Sequence, residues 1–297
     1  MTQPMVSIGM PVWNGERFLQ KAIDSLLGQT FTDFELLISD NASTDATPEI
    51  VRGALQRDPR VRYDRLDENI GASPNYNRVL RRTRGRYFTW AACDDVYLPR
   101  WLEETFRALT ENPGAVLAHT RTRFIDEHDR TIKEEKPGRR HTAGSISPVE
   151  RLYDIAYVRH ACLQLYGLIP RQAAERTGGF QSITAADRVV LVKLALMGRF
   201  IKLPEVLFLS RRHPGMSRQL VKRPHAYAVW ADPTNASRLQ RSTWRLYLEY
   251  WRSVAGAPLR SRERLGCAVV LARWPWTHHR WKTMALEIVV PRRAAGL

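Results

Sequence analysis

The stretch Tyr87-Phe-Thr-Trp-Ala-Ala-Cys-Asp-Asp-Val-Tyr-Leu-Pro-Arg-Trp101 decides how the rest of the chain is read. It begins with aromatic and small residues in the manner of a buried strand and ends in two adjacent carboxylates, Asp94 and Asp95. Pro99 then marks the first turn of another helix, where a missing N–H costs nothing. A strand that delivers acids at its C-terminal end puts them where open α/β sheets bind ligands. Two neighbouring acids repel each other and are costly to desolvate unless a cation or hydrogen-bond donors compensate. A divalent metal carrying a diphosphate supplies that compensation, because hard cations prefer oxygen ligands and share them with phosphates. Taken alone, Asp94-Asp95 reads more simply as a solvated turn capping the next helix. Its surroundings decide otherwise.

Working outward, Val6 to Met10 reads as a strand, and the apolar spacing of Phe18, Leu19, Ala22, Ile23, Leu26 and Leu27 predicts a helix. Phe34 to Ser39 and Val61 to Leu66 are further strands, with Thr47 as the N-cap of a helix between them. Residues 75 to 84 and 100 to 110 read as helices on either side of the central strand, and Ala115 to Thr120 as the next strand. This β-α rhythm predicts a parallel sheet with helices on both faces. From about Glu127 to Ser147 the pattern breaks into a basic, glycine-containing loop around Lys136-Pro-Gly-Arg-Arg-His141. Beyond it, Ser147 caps a helix over Pro148 to Tyr157, and Cys162 to Ile169 is strand-like. Arg171 to Arg176 is a short helix closed by glycines, and Ala186 to Met197 an amphipathic helix presenting Val189, Val190, Leu194 and Met197 inward. Phe200 to Leu203 and Val206 to Ser210 are two strands.

The 297 residues fit one large α/β domain with an appended segment. Residues 1–222 form the domain, with 1–120 as the ligand-binding half and 121–222 as the second half. Residues 223–297 form a basic, Trp-rich helical extension. Within 241–297, ten arginines and one lysine stand against three glutamates, a net of +8, beside five of the nine tryptophans. The whole chain carries +16, so its surface attracts anions such as nucleotides, nucleic acid or acidic lipid. Three cysteines are too few for a disulfide framework. Met1 to Pro4 has no leader pattern, and no apolar run approaches the ~20 residues that span a bilayer. Both point to a cytoplasmic protein, at most peripheral at the inner face of a membrane.

Several chemistries are excluded. The loop after the first strand lacks Gly-x-Gly-x-x-Gly, its only glycines being Gly9 and Gly15, and no Gly-x-x-x-x-Gly-Lys-Ser/Thr occurs. No Cys/His spacing suggests zinc. Ser210 and Ser217 near His213 have no nucleophile elbow to serve.

Six motifs stand in a telling order: Val6-Ser-Ile-Gly-Met-Pro-Val-Trp-Asn14, Ile38-Ser-Asp-Asn-Ala-Ser-Thr-Asp45, Asn69-Ile-Gly71, Tyr87 through Pro99, Gly178-Gly-Phe180 and Arg212-His-Pro-Gly-Met-Ser217. Across roughly residues 5 to 218 the chain resembles the family 2 inverting glycosyltransferases. The resemblance implies the GT-A fold, a nucleoside-diphosphate-sugar donor (UDP before dTDP) and a divalent metal, Mn²⁺ or Mg²⁺. It also implies transfer to a sugar, glycolipid or small-molecule hydroxyl.

The resemblance assigns roles position by position. Pro11, Trp13 and Asn14 line the base pocket, Asp40 hydrogen-bonds the base, and Asn69 and Asn77 belong to the nucleotide loop. Asp94 lies near ribose and metal, Asp95 ligates the metal, and His213 reaches the metal or pyrophosphate. Asp187 is the catalytic base. Three positions depart from the pattern: Ala92 and Ala186 replace family acids, and Tyr76 replaces a frequent arginine. Asp187 opens a helix, whose dipole should keep it ionised and able to accept a proton. Taken alone, it reads as a helix cap. Rival readings are a nucleic-acid-binding or anionic-membrane-binding protein, suggested by the charge, and a sugar nucleotidyltransferase. The latter would want a glycine-rich basic loop after the first strand, and Pro11 to Gly15 is not one. Donor sugar, acceptor identity and oligomeric state have no motif here.

Overall fold

A computed structural model describes residues 3–136, 142–158, 160–216, 220, 224–235 and 241–289. Most of the basic loop after Lys136, Ser217 and the last eight residues lie outside them. The first half runs β1 (Val6–Val12), α1 (Glu16–Leu27), β2 (Phe34–Asp40), α2 (Thr47–Arg57), β3 (Val61–Arg65), α3 (Ala72–Arg82), β4 (Tyr87–Trp90), β5 (Val96–Tyr97) and α4 (Trp101–Thr110). Then follow β6 (Ala115–Ile125), β7 (Thr131–Glu134), α5 (Pro148–Tyr157), β8 (Ile169–Pro170), α6 (Arg171–Arg176), α7 (Ala186–Met197) and β9 (Arg199–Arg211). Four helices complete the chain: α8 (Pro224–Ala231), α9 (Ser242–Gly256), α10 (Ser261–Arg273) and α11 (Arg280–Val289).

The strands form two sheets. The first has the order β3-β2-β1-β4-β8, parallel except for β8. All seven residues of β1 and all seven of β2 are buried, as expected of inner parallel strands covered on both faces. Pro11 is tolerated in β1 because β4 stops pairing at Gly9–Trp90. Gly9 O accepts from Ala91 N on the β4 side, so Pro11, of the same parity, would aim its missing N–H where no ladder remains.

The second sheet has the order β5-β9-β6-β7, with β6 and β9 parallel. β7 lies within the 127–147 stretch expected to be loop; it folds back antiparallel on β6 through a tight turn at Asp126–Arg130. The strand expected at Ala115 to Thr120 therefore runs on to Ile125 and pairs with β9 rather than extending the first sheet. The two strands expected on either side of Pro204 are one, β9. Its register passes from Lys202 opposite His119 to Val206 opposite Arg121, so the residues around Pro204 bulge out of the ladder. Cys162 to Ile169 is mostly a 3₁₀ turn, Leu163–Tyr166, before the two residues of β8. α2 starts at Thr47 itself, whose hydroxyl accepts from Gly15 N (2.9 Å), and α4 starts at Trp101, two residues beyond Pro99.

α7 is buried nearly all round, with Val189 to Val192 and Leu194 to Leu196 at 3% exposure or less, rather than along one stripe. The reason is a second cover: α5 packs on one side and α9 on another. The C-terminal helices thus belong to the same core, since Tyr250, Val254, Cys267, Leu271 and Trp274 join the cluster around α7. Among the described residues, no helix is long and apolar enough to cross a membrane.

Candidate active site

Beyond β4 the chain turns through Ala91 and Ala92 to bring Asp94 and Asp95 to the sheet's C-terminal edge. The end of β9 locks them there through Arg211, a residue that sequence reasoning passed over although it precedes the quoted motif. Arg211 N donates to Asp95 Oδ1 (2.7 Å) and Arg211 Nε to the Asp94 carbonyl (2.8 Å). Its guanidinium, 1% exposed, pairs with Asp129 (2.7 Å) and lies over the Phe18 ring. His213 Nε2 sits 3.0 Å from Asp94 Oδ2, its ring against Phe18.

Of the two acids, Asp94 keeps an exposed edge and Asp95 is 4% exposed. Burial pushes the Asp95 carboxyl well above the usual carboxylate range, and the charge of Asp94 pushes it further. The Arg211 N–H, Arg212 and the Ser210 hydroxyl oppose that only in part. The half-buried Cys93 thiol is likewise raised, by burial and then by both acids. It is no thiolate nucleophile.

The residues expected to hold the nucleotide lie at the ends of β1 and β2, on the loops after β1 and β3, and on α3. Trp13 is 48% exposed, while Pro11 is buried. Asn14 sits in the left-handed region (φ 50°). It ties its loop to the one after β2: its N–H donates to Ser43 Oγ (2.9 Å) and its Oδ1 accepts from Thr44 N (2.8 Å). Asp40 is fully buried. Its Oδ1 accepts from Ser43 N (2.8 Å) and its Oδ2 from the Tyr63 hydroxyl (2.6 Å), with Arg65 3.7 Å away. Asn69 is fastened by Asn41, which donates to Asn69 Oδ1 (2.8 Å) and accepts from Ile70 N (2.9 Å). Asn77 spends its amide elsewhere, accepting from Phe180 N (2.7 Å) and donating to Phe180 O (2.7 Å). Its geometry therefore orients the Gly178-Gly179-Phe180 turn, where a Cβ on Gly179 would strike Asn77 Oδ1 at 2.1 Å.

Asp187 occupies the first turn of α7, after Ala185 in the left-handed region (φ 62°, ψ 35°). An L-residue there costs roughly 1–2 kcal/mol. Burial raises the Asp187 carboxyl above its ordinary value, contrary to the expectation that a helix start alone would hold it ionised. The Arg188 N–H (2.8 Å) and guanidinium and the Cys162 thiol work in the other direction. Two phenols connect the electrostatic surroundings of Asp187 with those of the acid pair. The Tyr76 phenol lies in the field of Cys93, Asp94 and Asp95, and the Tyr227 phenol in that of Asp187 and Tyr76. The tyrosine at position 76, where the family often has arginine, packs its ring against Phe180 (4.7 Å).

The sequence model of the glycosyl transferase family 2 matches residues 7–172. An uncharacterized glycosyltransferase of Methanocaldococcus jannaschii is 32% identical over 139 residues, 46% of this chain and 48% of that protein. The putative teichuronic acid biosynthesis glycosyltransferase TuaG of Bacillus subtilis is 31% identical over 113 residues, 38% of this chain and 45% of that one. The chain thus spans about half the length of the curated relatives it matches. Among solved structures, S. aureus TarS 1–349 in complex with UDP-GlcNAc superposes with a TM-score of 0.68 at 16% identity, covering 96% of this chain and 76% of that one. Mannosyltransferase PcManGT from Pyrobaculum calidifontis, in complex with GDP-Man and Mn²⁺, gives 0.59 at 17% identity, covering 98% and 77%. The fold is the GT-A arrangement of α/β layers, and the chain belongs to glycosyl transferase family 2.

Proposed function

We propose that the protein transfers a hexosyl or deoxyhexosyl group from a nucleoside-diphosphate sugar, UDP before dTDP, to an acceptor hydroxyl by a single inverting displacement. The observation that carries this reading is the acid pair at the C-terminal edge of the first sheet, held by Arg211 and flanked by His213. Trp13 offers a face on which a nucleobase stacks, and the Asn14, Asp40 and Asn69 network holds the surrounding loops. Asp95 and His213 are the side chains that would hold a divalent cation; among the described residues no three His, Cys, Asp or Glu side chains form a metal-holding group, and His213 Nε2 lies against Asp94 Oδ2. When bound, Mn²⁺ or Mg²⁺ there would neutralise charge on the departing diphosphate. Asp187, raised by burial, takes the proton of the acceptor hydroxyl as the anomeric carbon is attacked. A thermal-shift screen of UDP-, dTDP- and GDP-sugars with and without Mn²⁺ tests it, since a donor stabilises the fold by mass action. No shift with any of them would sink the reading.

One further observation favours peripheral attachment at the cytoplasmic face of a membrane. Arg262, Leu265, Val269, Arg273 and Trp276 recur at helical spacing on the outward side of α10 and the turn after it, with Leu265 and Trp276 more than two-thirds exposed. Trp244, Trp251 and Trp274, by contrast, pack into the core, so the tryptophan-rich tail is only in part a surface feature. Such a basic, apolar stripe suits an anionic lipid surface. Leu265→Asp with Trp276→Asp should abolish salt-sensitive binding to phosphatidylserine vesicles while leaving stability within about 0.5 kcal/mol. Unchanged vesicle binding would remove the stripe from that role.

A further inference from the structure

A helix leaves its last carbonyls without partners of its own, and α5 hands its last three to side chains from distant segments. Ile155 O accepts from Arg188 Nη1 (2.9 Å), Ala156 O accepts from Trp274 Nε1 (3.1 Å), and Tyr157 O lies 3.3 Å from His278 Nε2. Arg188 reaches further along the chain: Nη1 also donates to Val158 O (3.1 Å) and Nη2 to His160 O (3.4 Å). One guanidinium from the first turn of α7 thus spans the end of α5 and the loop beyond it. A cation suits that place, because the C-terminus of a helix carries partial negative charge.

The loop is pinned from its other side as well. His160 Nδ1 accepts from Cys162 N (3.1 Å), which leaves the proton on Nε2, 3.2 Å from Ile155 O. Cys162 stands in the left-handed region (φ 56°). At the other end of Arg188, its main-chain N–H lies 2.8 Å from Asp187 Oδ1 and 3.0 Å from Ala185 O. Arg188 therefore meets the carboxylate through its backbone and the end of α5 through its side chain. The turn it belongs to begins at Ala185, whose φ of 62° persists in an alanine only when the surroundings hold it.

We propose that Arg188 is a positioning residue for Asp187: by gripping the carbonyls of Ile155, Val158 and His160 it fixes the first turn of α7 against α5, and so fixes where the carboxylate points, with a positive charge kept on the same turn. This rests on the reading of Asp187 as the base. It also gives position 188 a task that none of the sequence motifs covers.

Around Asp187 stand the Cys162 thiol and the phenols of Tyr227 on α8 and Tyr250 on α9, all raised by burial and so uncharged near neutrality. Arg188 brings a positive charge that favours the anion. In the full chain, Arg188→Gln removes that charge and most of the grip, so kcat should fall about 10- to 100-fold, the scale of a slightly misplaced catalytic group, at unchanged donor KM. The pH at which kcat fades on acidification should rise in the same variant. Arg188→Lys keeps the charge but replaces a fork by a single ammonium, so kcat should fall only about 3- to 10-fold, with the acid limb where the wild type has it. Wild-type kcat in either folded variant, beside an inactive Asp187→Asn, would overturn the proposal and leave the base assignment standing. So would an unmoved acid limb in Arg188→Gln, or a change in donor KM alone. If Arg188→Gln does not fold, kcat and the acid limb of Arg188→Lys decide. A fully active Asp187→Asn would instead remove the base assignment, and this inference with it.

Discussion

Asp95 at the end of the central strand and Asp187 at the start of α7 are both pushed up by burial, but their neighbours treat them differently. Beside Asp95 the next influence is another negative charge, Asp94, and a main-chain N–H, a hydroxyl and Arg212 only partly offset the two. Around Asp187 every further influence named favours the anion: the Arg188 N–H, its guanidinium and the Cys162 thiol. A carboxylate crowded by its own kind calls for an added cation. One that is buried but well supplied with donors can take up and release a proton. On the proposed reading, these surroundings suit the first acid to a cation and the second to proton transfer.

The largest effect should come from the second of these. Asp187→Asn keeps the shape but cannot accept a proton, so kcat should drop about 10²–10⁴-fold with donor affinity nearly unchanged. Because the carboxyl is raised, wild-type kcat should also fade, as the pH is lowered, at a higher pH than an ordinary aspartate's of about 3.9. A wild-type rate in the variant, or a product of retained anomeric configuration by NMR, would erase the contrast between the two acids.

A smaller effect should follow from loosening the turn that Asn77 holds. Asn77→Ala leaves the Phe180 N–H and carbonyl without their partner, and urea unfolding should show a loss of about 1–3 kcal/mol. Donor affinity in the folded variant should hold. A calorimetric loss of nucleotide affinity at unchanged stability would return Asn77 to direct contact with the ligand.

The smallest effect concerns Asp95 without a cation. Its folded-state pKa lies above the unfolded value, so the folded protein binds the proton more tightly. The resulting stability is complete below the unfolded carboxyl's pKa, about 3.9, and is lost as pH rises through the raised value. Asp95→Asn should remove that loss. In chelator at neutral pH its melting temperature should exceed that of the wild type by about 2–4 °C, the shift expected for ~1 kcal/mol, while stabilisation by Mn²⁺ with nucleotide disappears. A variant that melts lower than the wild type in chelator would mean that Arg211 and Ser210 already compensate the charge.

How much of this was legible depended on how local each feature is. The strand at Val6 to Met10, the alternation of strands and helices, and the delivery of Asp94 and Asp95 by the strand at Tyr87 can be read within a few residues, and they hold, β1 running on to Val12. The cap at Ser147 holds for the same reason, its hydroxyl accepting from Glu150 N. Pairing partners are not local. Nothing in Ala115 to Ile125 says that it leaves the first sheet for β9, and only the ladder reveals that the Pro204 region is a bulge inside one strand.

The candidate site divides along the same line. The residue types and their order, from Trp13 and Asp40 through Asp94, Asp95 and Asp187 to His213, were present in the sequence by itself, because motifs record which chemical groups stand at the ends of strands and helices. Which acid of the pair keeps an exposed edge, why Asp187 is raised rather than lowered, and that Asn77 grips Phe180 were decided by tertiary structure alone. So was the burial of Trp274. Burial, electrostatic neighbours and hydrogen-bond partners come from segments tens to more than a hundred residues away, and no local pattern encodes the distance between them.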